Sequence, residues 1–521
     1  NPGVGIPKFC CGAARLQRTT GATLGSLAGS GCGPQTAKPV DLGSGNALVF
    51  RPRSFGVSRL VAVNPNCQYR ASDPRVGLFG RGMSFTYDWF AVAAGAEAVQ
   101  VTNPAGAQFL LAREADGVFR ARSGRTMAIG MEVTPGATGR TLRMPDGTRY
   151  EFNNPGQLSA IVDLSGNRTT FQLTAIGFPQ SMTDAAGKTY QFTLSGLPPV
   201  ATRITDPAGR FIEFGYDASR RLTSYRDQGG GVSTFEYDAN HRIVSKTDPR
   251  GALEQYEYDA AGRAVREIVP GGASHQYAYD VAGTVITGTR HTDENGNATA
   301  YRWNGLGFLT RMTDALGRVT RTDLDAATNL VRRATDPAGR VTQYTYNQRG
   351  DVVRVIDADG KQTLIDYDLR FRKPIRIENA LGHVTTMEYD TQGNLTRIVN
   401  AEAETTTFTY TPKGQIETIT DPLARVTRFT YDANGNLLDS TNPANETVSR
   451  SYDLANRMLE LTDAINRTTR FAYDDLDRVT QVRDAAQGLT KYAYDANDNL
   501  LSATDPNNNP VERNVYDLRN R

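Results

Sequence analysis

Asp421-Pro422-Leu423-Ala424-Arg425-Val426-Thr427-Arg428-Phe429-Thr430-Tyr431-Asp432-Ala433-Asn434-Gly435-Asn436-Leu437 reads as a turn, a strand, a second turn and the start of another strand. Asp followed by Pro favours a type I turn, because proline presets φ and the aspartate side chain accepts backbone N–H groups. Asp206-Pro207-Ala208-Gly209 and Asp336-Pro337-Ala338-Gly339 carry the same turn with glycine at its fourth position. Asp432 to Gly435 repeats that logic with Asn in place of Pro. One unit is therefore two strands of about six residues and two turns.

The unit recurs to the end of the chain. Its anchors are Tyr216, Tyr237, Tyr258, Tyr279, Tyr367, Tyr389, Tyr431, Tyr452, Tyr473, Tyr494 and Tyr516, each followed by Asp, with degenerate forms at Trp303, Leu324, Tyr346 and Tyr410. Fourteen intervals separate these fifteen anchors, each of 21 or 22 residues except one of 24 before Trp303. Such a period marks a repeat architecture, in which each unit buries its apolar face against its neighbours. Phe429 and Tyr431 are two apart and share a strand face, as do Phe214 and Tyr216, while Arg428 and Thr430 fall on the other. One face is expected to be an aromatic ladder, with Tyr431 a packed core residue, and the other to be wet. The sixth position after each anchor is apolar in all but one case, Lys373.

Fifteen units make about 30 strands, or ~140 Å of ladder at ~4.8 Å per strand. Open twisted sheets rarely pass ~10 strands without curling or splitting. A continuous coil of this contour is too wide for its side chains to fill, so the expected fold is all-β: an antiparallel meander coiling into a large hollow shell. The alternative, a propeller with two repeats per blade, would show a two-repeat period, and odd and even anchors do not differ.

Upstream, residues 1–38 read as a linker or arm containing cysteines, and 39–152 as an irregular β-rich N-terminal cap. Strands are expected there at Ala47–Phe50, Phe85–Val92, Ala98–Thr102, Gln108–Ala112 and Thr141–Met144. The array proper covers 153–521, with clear repeats over 206–521. Diverged units from about residue 147 open strands at Gly166, Gly187 and Gly209 that end at Leu173, Leu194 and Tyr216.

A formal charge of +2, with arginines recurring once or twice per repeat rather than clustering, gives no nucleic-acid footprint. No stretch approaches the ~20 apolar residues of a membrane helix. Cys10, Cys11, Cys32 and Cys67 all lie at the N-terminal end, an arrangement compatible with two disulfides, with free thiols or with a metal site. The chain starts at Asn1 and stops just after a repeat anchor, and is expected to be part of something longer.

Candidate chemistry is sparse, and we expect no catalytic, cofactor or metal-binding residues. His241, His275, His291 and His383 show no ligand spacing and read as ordinary turn or surface residues. Gly187-Lys188-Thr189 ends like a phosphate-binding loop, but Met182 stands where that loop needs glycine. Asp357-Ala358-Asp359-Gly360 and Asp293-Glu294-Asn295-Gly296-Asn297 are fragments of calcium loops without a distal bidentate Glu. Nearly all aspartates open turns by capping backbone N–H groups. The aromatic ladder offers stacking surface to a glycan, though its regular parity fits packing.

The Tyr-Asp marker, the Asp-Pro-x-Gly-Arg turn and the runs Tyr389 to Leu395 and Tyr431 to Leu437 resemble the bacterial RHS/YD-repeat family, the shells of polymorphic toxins. Pro39 to Asn46 and Gly80 to Asp88 resemble the segment that precedes the repeats in such proteins. The resemblance implies a secreted or cell-surface bacterial protein whose β shell encloses and delivers a C-terminal toxin or effector of the same longer polypeptide, with a secretion apparatus as a possible partner. It also implies self-cleavage at an Asp-Pro-x-Gly-Leu motif, from which Asp505-Pro506-Asn507-Asn508-Asn509 departs after two residues. The competing function is a cell-surface adhesin whose repeats bind glycans or a cell partner.

Overall fold

A computed structural model of the chain describes residues 40–42, 67–71, 73–121 and 130–521. The expected strand Ala47–Phe50 and Cys10, Cys11 and Cys32 lie outside these residues, as does the side chain of Cys67. Among the described residues the regular structure is all β, with a 41-strand antiparallel meander running from Phe90–Ala93 to Pro510–Arg513. Each strand pairs with its sequence neighbours, and the first and last strands do not pair, so the ladder is open. It runs through residue 152 without a break. The expected strand Phe85–Val92 divides into Met83–Phe85 and Phe90–Ala93, because Asp88 folds back to accept the Phe85 N–H at 2.7 Å.

The unit is the one anticipated from turn chemistry. Val426–Tyr431 and Leu437–Thr441, of six and five residues, form a representative pair. Asp432 Oδ1 accepts the N–H groups of Asn434 and Asn436, and the fourth residue, Gly435, sits at φ 83°. A β-bulge lies beside the anchor in every repeat from Tyr216 to Tyr494 except at Tyr279, where it falls after Asp280. A bulge inserts one unpaired residue and increases local twist. Repeated on one edge, it curls the ribbon. At Asp368 the turn is one residue longer, so Pro374 rather than Lys373 pairs with Tyr367. That insertion explains the one non-apolar exception.

The coil has two edges: Asp-Pro turns on one and Tyr-Asp turns on the other. One edge docks on the opposite edge of the following turn of the coil. Arg210, on an Asp-Pro turn, bonds Asp475 and Asp477, and Arg250 reaches Asp517 and Asn520, at sequence separations between 265 and 270. That separation is about 25 strands, a contour of ~120 Å and roughly 40 Å across if round. The start of the coil is narrower, since Ala91 N–H bonds Gly156 O at 2.9 Å and Phe90 bridges Gln157.

Candidate functional site: the inner wall and its plug

Residues 67–71 and 73–89, with Val40–Leu42, cross one face of the early coil. Their aromatic rings advance along it about one repeat at a time. Trp89 meets Tyr150 and Tyr87 meets Phe171, each at 5.1 Å between centroids. Phe85 then meets Phe192 at 6.1 Å, Phe79 meets Phe214 at 5.0 Å, and Tyr69 meets Tyr237 at 6.4 Å. Main-chain bonds reinforce the seat: the Ala201 N–H donates to Leu78 O, and the Ile243 N–H to the Tyr69 hydroxyl at 3.0 Å. The segment covers the aromatic face of these strands and buries it, while the charged side chains lie on the opposite, solvent-facing side. The aromatic face is therefore the inner one, and the segment is a plug.

Under the plug the ladder is a dry core, with Phe214 and Phe235 each 4% exposed. Beyond it the same face looks onto the lumen, and Phe408, Ile419, Phe429 and Tyr431 are only half-buried. The expectation that Tyr431 is a core residue is corrected accordingly: its parity is as read, but no second layer covers it. Inner positions of the odd strands repeat Thr, an aromatic or aliphatic residue and Tyr, as in Thr427-Phe429-Tyr431 and Thr385-Met387-Tyr389, and their partners are Ile419, Ile398, Leu461 and Val482. From Ala298 to Thr504 the only charged side chain at these inner positions is Arg450. The outer face takes the charge: Arg302, Arg311 and Arg321 align across three strands, and Glu388 pairs with Arg397 at 2.8 Å.

The anchor tyrosines lock neighbouring repeats. Twelve tyrosine hydroxyls donate to a backbone carbonyl 15 residues earlier, as Tyr216 to Ala201, Tyr431 to Ile416 and Tyr494 to Val479. Degenerate Tyr346 and Tyr410 are among them, and Trp303 instead donates its indole N–H to Thr289 at 3.2 Å. Tyr516 is different: it lies beyond the last strand, where its carbonyl accepts from Arg250. Burial pushes the Tyr237, Tyr258 and Tyr279 hydroxyls far above the ordinary tyrosine value, so they remain protonated donors. Several turns add a cation over the next anchor ring, such as Arg221 over Tyr237 at 5.0 Å and Lys373 over Tyr389 at 5.7 Å.

The turn carboxylates are used structurally. Burial alone would raise Asp217, Asp238 and Asp259, but the backbone and guanidinium of Arg221, Arg242 and Arg263 hold them below the usual aspartate value. Asp293 and Asp357 each accept two backbone N–H groups of their own turns, and so does Asp505. Lys188, in the phosphate-loop-like stretch, reaches across the coil to Leu454 O and Asn456 Oδ1, both at 2.8 Å.

Sequence spacing missed one cluster. His275 is buried, and its Nδ1 lies 3.1 Å from Nε2 of His291; Glu267, also buried, accepts from the Tyr277 hydroxyl at 2.9 Å. The reading of His275 as a turn or surface residue is thus corrected, because adjacent strands and inward parity bring the two rings together. Only the shared parity of positions 275, 277 and 291 across one hairpin could have signalled it.

The comparisons with known proteins fit this geometry. The Teneurin YD-shell family model matches residues 194–372 and 334–454, together half of the chain, and the RHS repeat model matches 452–489 and 473–510. No curated protein matches. Among solved structures the chain is similar to one in the crystal structure of TcdB2-TccC3-TEV, with a TM-score of 0.51, 14% identity, and coverage of 81% of this chain and 27% of that one. It also matches TcdB2-TccC3, with a TM-score of 0.35, 12% identity, and 85% and 38% coverage. A Photorhabdus luminescens Tc holotoxin pore carrying TccC3-D651A matches with a TM-score of 0.32, 13% identity, and 85% and 30% coverage. The chain thus spans well under half the length of these solved chains. With the repeat unit, the open coil and the family models in agreement, the chain belongs to the RHS/YD-repeat shell family.

Proposed function

We propose that this segment is the wall of a secreted bacterial toxin or effector shell, non-enzymatic itself, which encloses a polypeptide cargo for delivery. The observation that carries the reading is the inner wall: half-exposed aromatic and aliphatic side chains interleaved with threonine, with one charge from Ala298 to Thr504, behind an end filled by the plug. Such a surface offers many weak apolar contacts and no strong charge pairing, so it suits an extended or loosely folded chain of varied sequence. The charged outer face keeps the shell soluble while the inner face meets its contents. A small-molecule ligand would instead call for a concave pocket with converging polar groups.

The test is protease protection in the natural polypeptide that contains residues 1–521 with all that flanks them. The expected result is a flanking segment resistant while the shell is intact and digested once the coil is denatured. Equal digestion of every flanking segment in the intact protein would overturn the reading. The inert wall has its own check: the purified chain should stay uncut near Asp505 during long incubation, and a defined product that Asp505→Asn abolishes would contradict it.

A further inference from the structure

Past the Ala91–Gly156 closure, the hydrogen bonds between successive turns of the coil join the edge that carries the Asp-Pro turns to the edge of the Tyr-Asp turns, and their character changes along the seam. At its start the seam is tight. Phe371 is buried there, and an added Cβ on Gly393 would crowd Phe371 and Leu164, while one on Gly414 would overlap Ser165. Glycine's missing side chain is what lets these turns approach.

Farther on the seam gains ion pairs, with Leu476 over Gly229 as an apolar contact within it. Lys188 bonds Asn456, Arg210 pairs with Asp477, and Arg250 bonds Asn520 Oδ1 at 2.9 Å and pairs with Asp495 at 3.2 Å. Asn456, Asp477 and Asn520 hold the fourth position of their turns at φ 62–63°, where Gly414 and Gly435 stand in earlier repeats. Asn and Asp are the side chains that tolerate this left-handed conformation best. Each places an acceptor where glycine has none, facing a cation of the other turn. Each is also held from within its own ribbon, by Asn436, Arg457 and Asn499 respectively, so it stays oriented if that cation leaves.

Past the Ala91–Gly156 closure at the start of the coil, no strand pairing crosses the seam among the described residues, whereas along the ribbon neighbouring strands pair through their backbones. We infer that the shell opens along this seam, hinged at the Leu164–Gly393 end and unclasped over the stretch from Lys188 to Glu294, with the β ladder intact. Within that stretch Arg519 also bonds Pro270 O at 2.7 Å and pairs with Glu294. The clasp includes the ion pairs of Arg210 and Arg250, which salt screens. The hinge combines the close packing of Phe371, Leu164 and Ser165 with hydrogen bonds from Asn167 to Lys413 O at 2.9 Å and from Arg143 to Arg370 O at 2.6 Å, and has no ion pair across the seam among the described residues. This holds whatever the shell contains.

The experiment is a distance measurement by pulsed electron resonance between spin labels on ketone-bearing residues, which leaves the native cysteines untouched. One pair, at Ala208 and Ala472, spans the clasp; the other, at Arg168 and Thr409, spans the hinge, and all four sites are exposed. In the variant Lys188→Ala/Arg210→Ala/Arg250→Ala/Arg519→Ala the clasp distance is expected to lengthen and broaden, with the hinge distance and far-ultraviolet circular dichroism unchanged. Raising sodium chloride on the otherwise wild-type protein should move the clasp in the same direction. An unchanged clasp distance in both arms, or equal lengthening at the hinge, would overturn the inference. If the quadruple variant does not fold, the salt series decides on the same labels.

Discussion

Replacing Tyr431 with Phe isolates the repeat-locking hydrogen bond, because the ring stays and only the hydroxyl that donates to Ile416 O at 2.8 Å is lost. A neutral hydrogen bond contributes a net ~0.5–1.5 kcal/mol, and more if its partner is stranded without water. Ile416 and Tyr431 both face the open lumen and are half-buried, so water can reach the freed carbonyl and the cost should be about 1 kcal/mol. Tyr431→Ala also removes the ring. Fully buried aromatics cost ~3–5 kcal/mol on truncation to alanine, and a ring covered on one side should cost about half that. In a nearest-neighbour array the loss stays close to the lesion. The assay is native-state hydrogen exchange resolved by peptide. Tyr431→Phe should speed exchange about fivefold across Thr405–Thr441, which is about 1 kcal/mol of local opening, and leave Val341–Tyr367 at its wild-type rate. Unchanged protection at Ile416–Tyr431, or an equal loss in every repeat, would refute the claim that these hydroxyls fasten each unit to its neighbour.

The same Tyr→Phe change at Tyr237, under the plug and packed on Tyr69, should cost more than at Tyr431, since water does not reach the Leu222 carbonyl it satisfies; paired exchange measurements around residues 222–237 check this. Gly414→Ala should disturb the hinge, because the new Cβ meets Ser165 in a left-handed backbone (φ 79°); the Arg168–Thr409 label distance should lengthen, and an unchanged distance counts against the hinge. Burial pushes Asp88 up to about 6, against the Phe85 N–H and the Arg75 charge, from an unfolded value near 3.8. The folded plug therefore prefers the neutral acid, so the Asp88 contribution to stability is greatest below about pH 4 and falls as pH rises through 6. Denaturation followed by Trp89 fluorescence should show this between pH 4 and 6, and Asp88→Asn should flatten that window. The turn aspartates act oppositely: Asp217, Asp238, Asp259 and Asp453, held below 3.8, contribute above that pH and lose their contribution on further acidification.

What the sequence made legible was local. Turn type, strand parity and strand ends at Leu173 and Tyr216 follow from chemistry within one unit, because Asp, Pro and Gly act on neighbouring backbone and the side-chain period of a strand is two. Contacts between turns of the coil were illegible, because Arg210 and Asp477 are 267 residues apart and the change from glycine to Asp477 at the fourth turn position does not say which distant turn it faces. The plug escaped because its strands are two or three residues long and its order comes from rings seated on a wall formed later in the chain. The absence of charge on the inner wall was within reach, since the columns Thr427-Phe429-Tyr431 and Thr469-Phe471-Tyr473 show it once parity is assigned. Its meaning needed the plug, which tells the inner face from the outer.

The central claim is that this ribbon coils around a lumen whose neutral inner wall holds polypeptide. A cryo-electron microscopy reconstruction of the natural full-length protein tests it directly. The account predicts a hollow β coil roughly 40 Å across at this segment, with density for additional chain lying against Phe408, Phe429 and Phe471. A sheet collapsed on itself with those rings in mutual contact, or an ordered coil whose lumen holds only solvent, would contradict it.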